Sequence, residues 1–176
     1  DMGLHSIVRY LEPARFSSMV ILPHAGPLAP RLEAAGARVL YLDICRLERL
    51  ASPGQLWAFV RSFARSLRRL RQIIREEQID LVYTNSSAIQ VGALAARLEH
   101  IPNAWHLREI WTKPRWLTRP LYRYVYAFAD RIIAISQAVA RGNFGRAGGK
   151  ILIVRDGVDV SRFEGLEARS AGMRPA

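Results

Sequence analysis

Asn103-Ala104-Trp105-His106-Leu107-Arg108-Glu109 is a short apolar run, introduced by Ile101-Pro102, that stops in a histidine, an arginine and a glutamate. An apolar run of this length with a proline before it reads as a buried strand. In an open parallel sheet, ligands bind outside the carboxyl ends of the strands. His106, Arg108 and Glu109 therefore stand where chemistry is expected, provided that neighbouring strands run in the same direction.

The sequence on either side supplies such neighbours. Downstream, Thr118 is placed to cap a helix with Pro120 in its first turn, and Leu121, Tyr124, Val125 and Phe128 share one face of it. Residues 131–135 form the next strand, Ser136 caps a further helix, Gly148-Gly149 breaks it, and residues 151–154 form a last strand closed by Asp156-Gly157. Upstream, residues 81–84 are strand-like, and Asn85-Ser86-Ser87 supplies a turn and cap before an alanine-rich helix through Leu98. A long helical pattern runs from Gln55 to Glu77, with Phe59, Val60, Phe63, Leu67, Leu70 and Ile74 on one face. Arg61, Arg65, Arg68 and Arg75 line its other face. Nearer the start, residues 18–22 and 39–42 are strands, separated by a helix that stops at Gly36, a left-handed cap. Leu4, Ile7, Val8 and Leu11 already recur at helical spacing, so a helix opens the sequence. Strands alternating with helices imply a parallel sheet covered on both faces. The expected fold class is α/β, Rossmann-like and doubly wound, with its first strand missing.

With 176 residues, half of them apolar, the chain suits one domain. It is expected to span residues 1–163, followed by a small, charged tail or linker at 164–176. No apolar run reaches the roughly 18 residues of a membrane span, and nothing at the start resembles a signal peptide, so a cytoplasmic location is expected. Cys45, the single cysteine, cannot form an internal disulfide and reads as a small apolar filler. The net charge of +11 calls for an anionic partner: phosphate groups, nucleic acid or an acidic membrane surface.

Five stretches in order resemble the N-terminal domain of family 4 glycosyltransferases. They are Asp80-Leu81-Val82-Tyr83-Thr84-Asn85-Ser86, Ala95-Ala96-Arg97-Leu98-Glu99-His100-Ile101-Pro102, His106-Leu107-Arg108-Glu109, Ala129-Asp130-Arg131-Ile132-Ile133-Ala134-Ile135-Ser136 and Asp156-Gly157-Val158-Asp159. The resemblance implies one half of a GT-B enzyme. Such enzymes have two Rossmann-like domains facing a cleft, a retaining transfer of sugar from a nucleotide donor, and usually no metal or other cofactor. The N-terminal half mostly serves the acceptor. The family's glycine-rich loop after the first strand is absent apart from Gly3, the C-terminal domain with its paired glutamates is not in this chain, and Asp156 stands where the family usually has asparagine. The domain is therefore expected to fold but not to turn over alone.

The resemblance assigns His106 to the reacting centre, against the transferred sugar or the acceptor hydroxyl. A neutral imidazole can accept a proton or a hydrogen bond there; the alternative is a histidine satisfied at a strand end. Arg108 and Glu109 read as a sugar or acceptor clamp, the guanidinium being suited to phosphate, or else as a surface ion pair. Asn85, Ser86, Ser87 and Ser136 offer hydroxyls and backbone N–H groups to a sugar or phosphate, or simply cap helices. Gly3, Asp156 and Gly157 join the substrate-binding residues through the resemblance. His5, His24 and His100 lie in no cluster. Expected partners are a nucleotide-sugar, a glycan or lipid-linked acceptor, and an anionic membrane surface reached through Arg61, Arg65, Arg68 and Arg75, making the protein peripheral to the membrane. The Trp, Tyr, Lys and Arg of residues 111–123 suit a headgroup interface or the mouth of an acceptor site. They would also stack on single-stranded nucleic acid, but the chain carries no RNA-binding or helix-turn-helix motif. Two other functions fit: a nucleotide-sugar epimerase of the same architecture, and a non-catalytic basic module for anionic lipid or nucleic acid.

Overall fold

The computed structural model describes residues 2–45, 53–110, 115–145 and 147–157. The elements alternate as α1 (Met2–Tyr10), β1 (Met19–Leu22), α2 (Ala29–Ala34), β2 (Arg38–Tyr41), α3 (Pro53–Glu76), β3 (Val82–Thr84), α4 (Val91–Leu98), β4 (Asn103–Leu107), α5 (Arg115–Phe128), β5 (Arg131–Ala134), α6 (Gln137–Phe144) and β6 (Ile151–Ile153). Every hydrogen-bonded strand pair is parallel. The aromatic segment 111–114 and the 163/164 boundary with its tail lie outside the described residues.

The strands form two sheets, β1-β2 and β3-β4-β5-β6. Side chains alternate across a strand, and β1 shows where the layers lie. Val20 and Leu22 pack with α1 and α2, whereas Ile21 joins a core made by Leu67, Leu70 and Ile74 of α3, Val91 and Ala95 of α4, and Val82 of β3. Helices therefore cover both faces, and one core bridges the two sheets. In the doubly wound strand order 3-2-1-4-5-6, the place between β1 and β3 belongs to the strand that precedes the first helix. The orders β1-β2 and β3-β4-β5-β6 follow the rest of that arrangement, and no described residue forms the strand between them.

The third core gathers Trp105 and Leu107 of β4, Ile132 and Ala134 of β5, Val125 of α5 and Val139 of α6. Trp105 is fully buried, and burying such a side chain stabilises by roughly 1.5–3 kcal/mol. Its indole N–H donates to the Ser86 carbonyl at 2.8 Å, so this core also holds the loop after β3.

Four local expectations are corrected. Helix α5 begins at Arg115, so Thr118 is a buried residue inside it, and Pro120, its sixth residue, is not in the first turn. Helix α6 stops at Gly145, whose φ of 72° supplies the left-handed cap, while Gly148 and Gly149, also at positive φ, shape the turn into β6. Val60 is 56% exposed; Ser66 and Ile73 take buried positions on α3 in its stead. Asn85-Ser86-Ser87 does not cap α4, which starts at Val91 behind Gln90 with no side-chain cap.

Candidate functional site

The register sets the site. Tyr83 lies opposite Ala104, so Tyr83, Ala104 and His106 share the sheet face turned away from Trp105 and Leu107. The Tyr83 hydroxyl lies 2.6 Å from His106 Nδ1, and the two rings meet edge to face with centroids 5.9 Å apart. His106 is only 4% exposed, and its Nε2 is enclosed without a hydrogen-bond partner among the described residues. Burial lowers the His106 pKa and the Arg108 charge lowers it further, against smaller opposing effects of Asp156 and Glu109. The imidazole is thus neutral at physiological pH. Burial pushes the Tyr83 pKa up to about 12, so its hydroxyl keeps the proton.

Arg108 continues the same face beyond the end of β4. Its Nη2 lies 3.4 Å from Asp156 Oδ1, past the end of β6. The guanidinium also lies against the first turn of α1, so closely that a Cβ on Gly3 would collide with it. Gly3 is therefore required by a close approach, which is the other use of glycine besides unusual φ. Residues 3, 108 and 156, far apart in the chain, thus meet at one point.

Glu109 turns the other way. Its Oε1 accepts from Ser86 Oγ at 3.2 Å, Ser87 N at 3.1 Å and Ser87 Oγ at 2.9 Å, and Oε2 accepts from Arg108 N at 3.1 Å. Burial alone would raise its pKa, but the donors at Ser87, Arg108 and Ser86 outweigh that and hold it below the ordinary carboxylate value. Ser86 and Ser87 thus spend their donors on Glu109, and Asn143 Nδ2 of α6 donates to the Glu109 carbonyl at 2.9 Å. Glu109 is a clamp between two loops, not a surface ion pair.

Of the expected site residues, Gly3, His106, Arg108 and Asp156 come together, with Glu109, Ser86 and Ser87 beside them. Asn85 opens the same loop. Gly157 is exposed, and among the described residues nothing lies within 4 Å of where its Cβ would stand. Ser136 is a helix cap: its Oγ accepts from Val139 N at 3.1 Å. Tyr83 was missed. Its signal was parity, since it stands two residues before Asn85 as His106 stands two before Arg108. Among the described residues, no group of three His, Cys, Asp or Glu side chains could hold a metal ion. A surface cavity of about 420 Å³ lies at the opposite edge, against Arg97, His100, Asn103 and Asp130 at the starts of β4 and β5, away from this cluster.

A doubly wound parallel sheet with its polar cluster at the carboxyl edge is a Rossmann-like half of the GT-B type. The family profile described as "Glycosyl transferase 4-like domain" matches residues 2–157, and the chain belongs to that family. No curated protein sequence matches it. Among solved structures it is similar to Acinetobacter baumannii MurG, at 12% identity and a TM-score of 0.60 over 89% of this chain and 42% of that one. It is also similar to a putative UDP-N-acetylglucosamine 2-epimerase from Listeria monocytogenes, at 13% identity and a TM-score of 0.60 over 86% of this chain and 41% of that one. A third is a co-structure of S. aureus MnaA with UDP, at 16% identity and a TM-score of 0.57 over 86% and 39%. The chain thus spans less than half the length of the structures it matches, and at these identities the likeness concerns the fold.

Proposed function

We propose that this domain is the acceptor-side half of a retaining glycosyltransferase that moves a sugar from a nucleotide-sugar to a cell-envelope or other glycan acceptor. The observation that carries the reading is His106, neutral, buried and with Nε2 unpartnered among the described residues, beside Arg108 at the carboxyl edge of the sheet. A buried nitrogen without a partner calls for an explanation, and a substrate hydroxyl is the natural one. In this proposal His106 faces the reacting sugar. Arg108, with Gly3 and Asp156 around it, meets anionic oxygens, and Glu109 holds the loop of Asn85, Ser86 and Ser87 in place. Half a cleft cannot complete the reaction, so the domain acts with a second, nucleotide-binding half. Joining it to such a half and measuring transfer from a nucleotide-sugar tests the reading; His106→Ala should lower kcat by about 10²-fold or more. Wild-type turnover in that variant would refute the role.

An epimerase is the second reading, favoured by the similarity to an epimerase-titled structure and a UDP complex. Product analysis separates the two, since an epimerase releases an altered nucleotide-sugar with no acceptor present. We further propose that the domain works on the cytoplasmic membrane face through the exposed Arg61, Arg65, Arg68 and Arg75 of α3. No described helix is long and apolar enough to cross a membrane. Charge reversal at Arg65 and Arg68 should abolish sedimentation with anionic liposomes. Unchanged sedimentation would reduce the stripe to a solvated helix face.

A further inference from the structure

An open groove of about 270 Å³ lies between the amino-terminal half of α3 and the middle of α5, lined by Phe59, Phe63, Leu117, Pro120, Leu121 and Tyr124. Gln90, at the entrance to α4, also lines it. Both helices follow parallel strands, so the amino-terminal half of α3 lies towards the carboxyl edge, and Tyr124 packs on Trp105, so the groove lies on the sheet face opposite His106.

The helical rotation of about 100° per residue shows what rims it. Turning outward on α3, Phe59 and Phe63 give way to Leu56 and Val60, then to Trp57, then to Arg61. On α5, Leu117, Leu121 and Tyr124 give way to Pro120, then to Trp116, then to Arg123 and Arg119. Both sides therefore run from apolar floor to exposed aromatic lip to arginine. Trp57 is 65% and Trp116 75% exposed, and the Arg61 guanidinium lies 5.5 Å from the Trp57 ring. An apolar channel with tryptophan lips and cationic shoulders is complementary to an amphiphile with an anionic head.

Hydrogen bonds link the groove to the loop that Glu109 clamps. The Tyr124 hydroxyl donates to the Gln90 carbonyl at 3.1 Å, Gln90 Nε2 donates to the Ser87 carbonyl at 2.6 Å, and Ser87 donates to Glu109.

We infer that the α3–α5 groove binds the hydrocarbon chain of a lipid-linked acceptor, with a phosphate next to the chain resting against the arginines of its rim. The inference builds on the transferase reading and names its acceptor class. The probe is decyl phosphate below its micelle concentration, titrated into the domain and followed by tryptophan fluorescence and amide NMR. Val60→Asp and Pro120→Asp place carboxylates on two exposed lips without touching the core, and thermal unfolding checks that both variants fold. Saturable binding is expected, weakened tenfold or more in each variant and not displaced by equimolar inorganic phosphate. Equal affinity in both variants would overturn the inference, as would full displacement by phosphate. Binding to phosphatidylglycerol vesicles with none to decyl phosphate would make the surface a bilayer contact and overturn it too. In the two-domain enzyme, both variants should raise KM for a chain-bearing acceptor and leave a chain-free one unchanged. Transfer that ignores the chain overturns this inference alone. Chain binding without any transfer overturns the transferase reading alone.

Discussion

Removing the Glu109 carboxylate should destabilise this domain far more than a charge at the surface would. Ser87 is fully buried, and both its N–H and its hydroxyl donate to Glu109 Oε1. A buried donor left without an acceptor costs about 1–3 kcal/mol. The hydroxyl can rotate to another acceptor, but the N–H cannot. Glu109→Ala is therefore expected to cost about 2–4 kcal/mol, a large part of the roughly 5–15 kcal/mol that holds a domain together. Glu109→Gln keeps one carbonyl acceptor and should cost about 1–2 kcal/mol. The assay is urea unfolding followed by circular dichroism, in a double-mutant cycle with Ser87→Ala. A coupling of about 1 kcal/mol or more is expected, and a coupling below about 0.5 kcal/mol, or a Glu109→Ala cost of that size, would refute the reasoning. The pH dependence adds a second check. The folded pKa of Glu109 is depressed, so its contribution is fully present above the unfolded value of about 4.3 and is lost as pH falls through the folded value. Glu109→Gln should flatten that acid limb.

Arg108 and Asp156 should move the His106 pKa in opposite directions: Arg108→Gln raises it and Asp156→Asn lowers it, read from the imidazole NMR shifts against pH. Shifts of equal sign would contradict the arrangement. Gly3→Ala should displace the Arg108 guanidinium and so raise the His106 pKa as well; an unchanged titration would mean that the two do not touch. Gly92→Ala should cost about 1–3 kcal/mol by overpacking, because its Cβ would lie 3.0 Å from Thr84 Oγ1 inside the core; an unchanged urea midpoint would refute that.

Alternation made most of this fold legible. Each strand sits within a residue or two of its apolar run, and β4, the most buried, shows the continuous apolar signal of a strand covered on both faces. Capping was legible where the side chain acts locally, as at Ser136, and misleading where it does not. Asn85-Ser86-Ser87 has the composition of a cap, yet Ser86 and Ser87 bond to a carboxylate 22 and 23 residues away, and no local pattern encodes that. Pro120 misplaced the start of α5 because a proline in the second turn looks in sequence like one in the first. At the site, His106, Arg108 and Glu109 were visible as polar endings on an apolar strand. Tyr83 was hidden by being a good strand residue, and the meeting of Gly3 with Arg108 depends on how α1 lies over the sheet.

The charges around His106 give the site a direction. Arg108 disfavours protonation of the imidazole, while Asp156 partly offsets it from the far side of the guanidinium. An anionic ligand oxygen bound at Arg108 adds negative charge near the imidazole and so favours its protonated form. By linkage, proton uptake at His106 and anion binding at Arg108 then strengthen one another to the same extent. Asp156 tempers this coupling, because its carboxylate competes with the ligand for Arg108. An asparagine at 156 removes both the competitor and the offset, leaving His106 more firmly neutral when empty and more responsive when an anion arrives. Asp156, at the turn after β6, thus bears on the protonation of His106 through an arginine that lies against both Gly3 and Asp156.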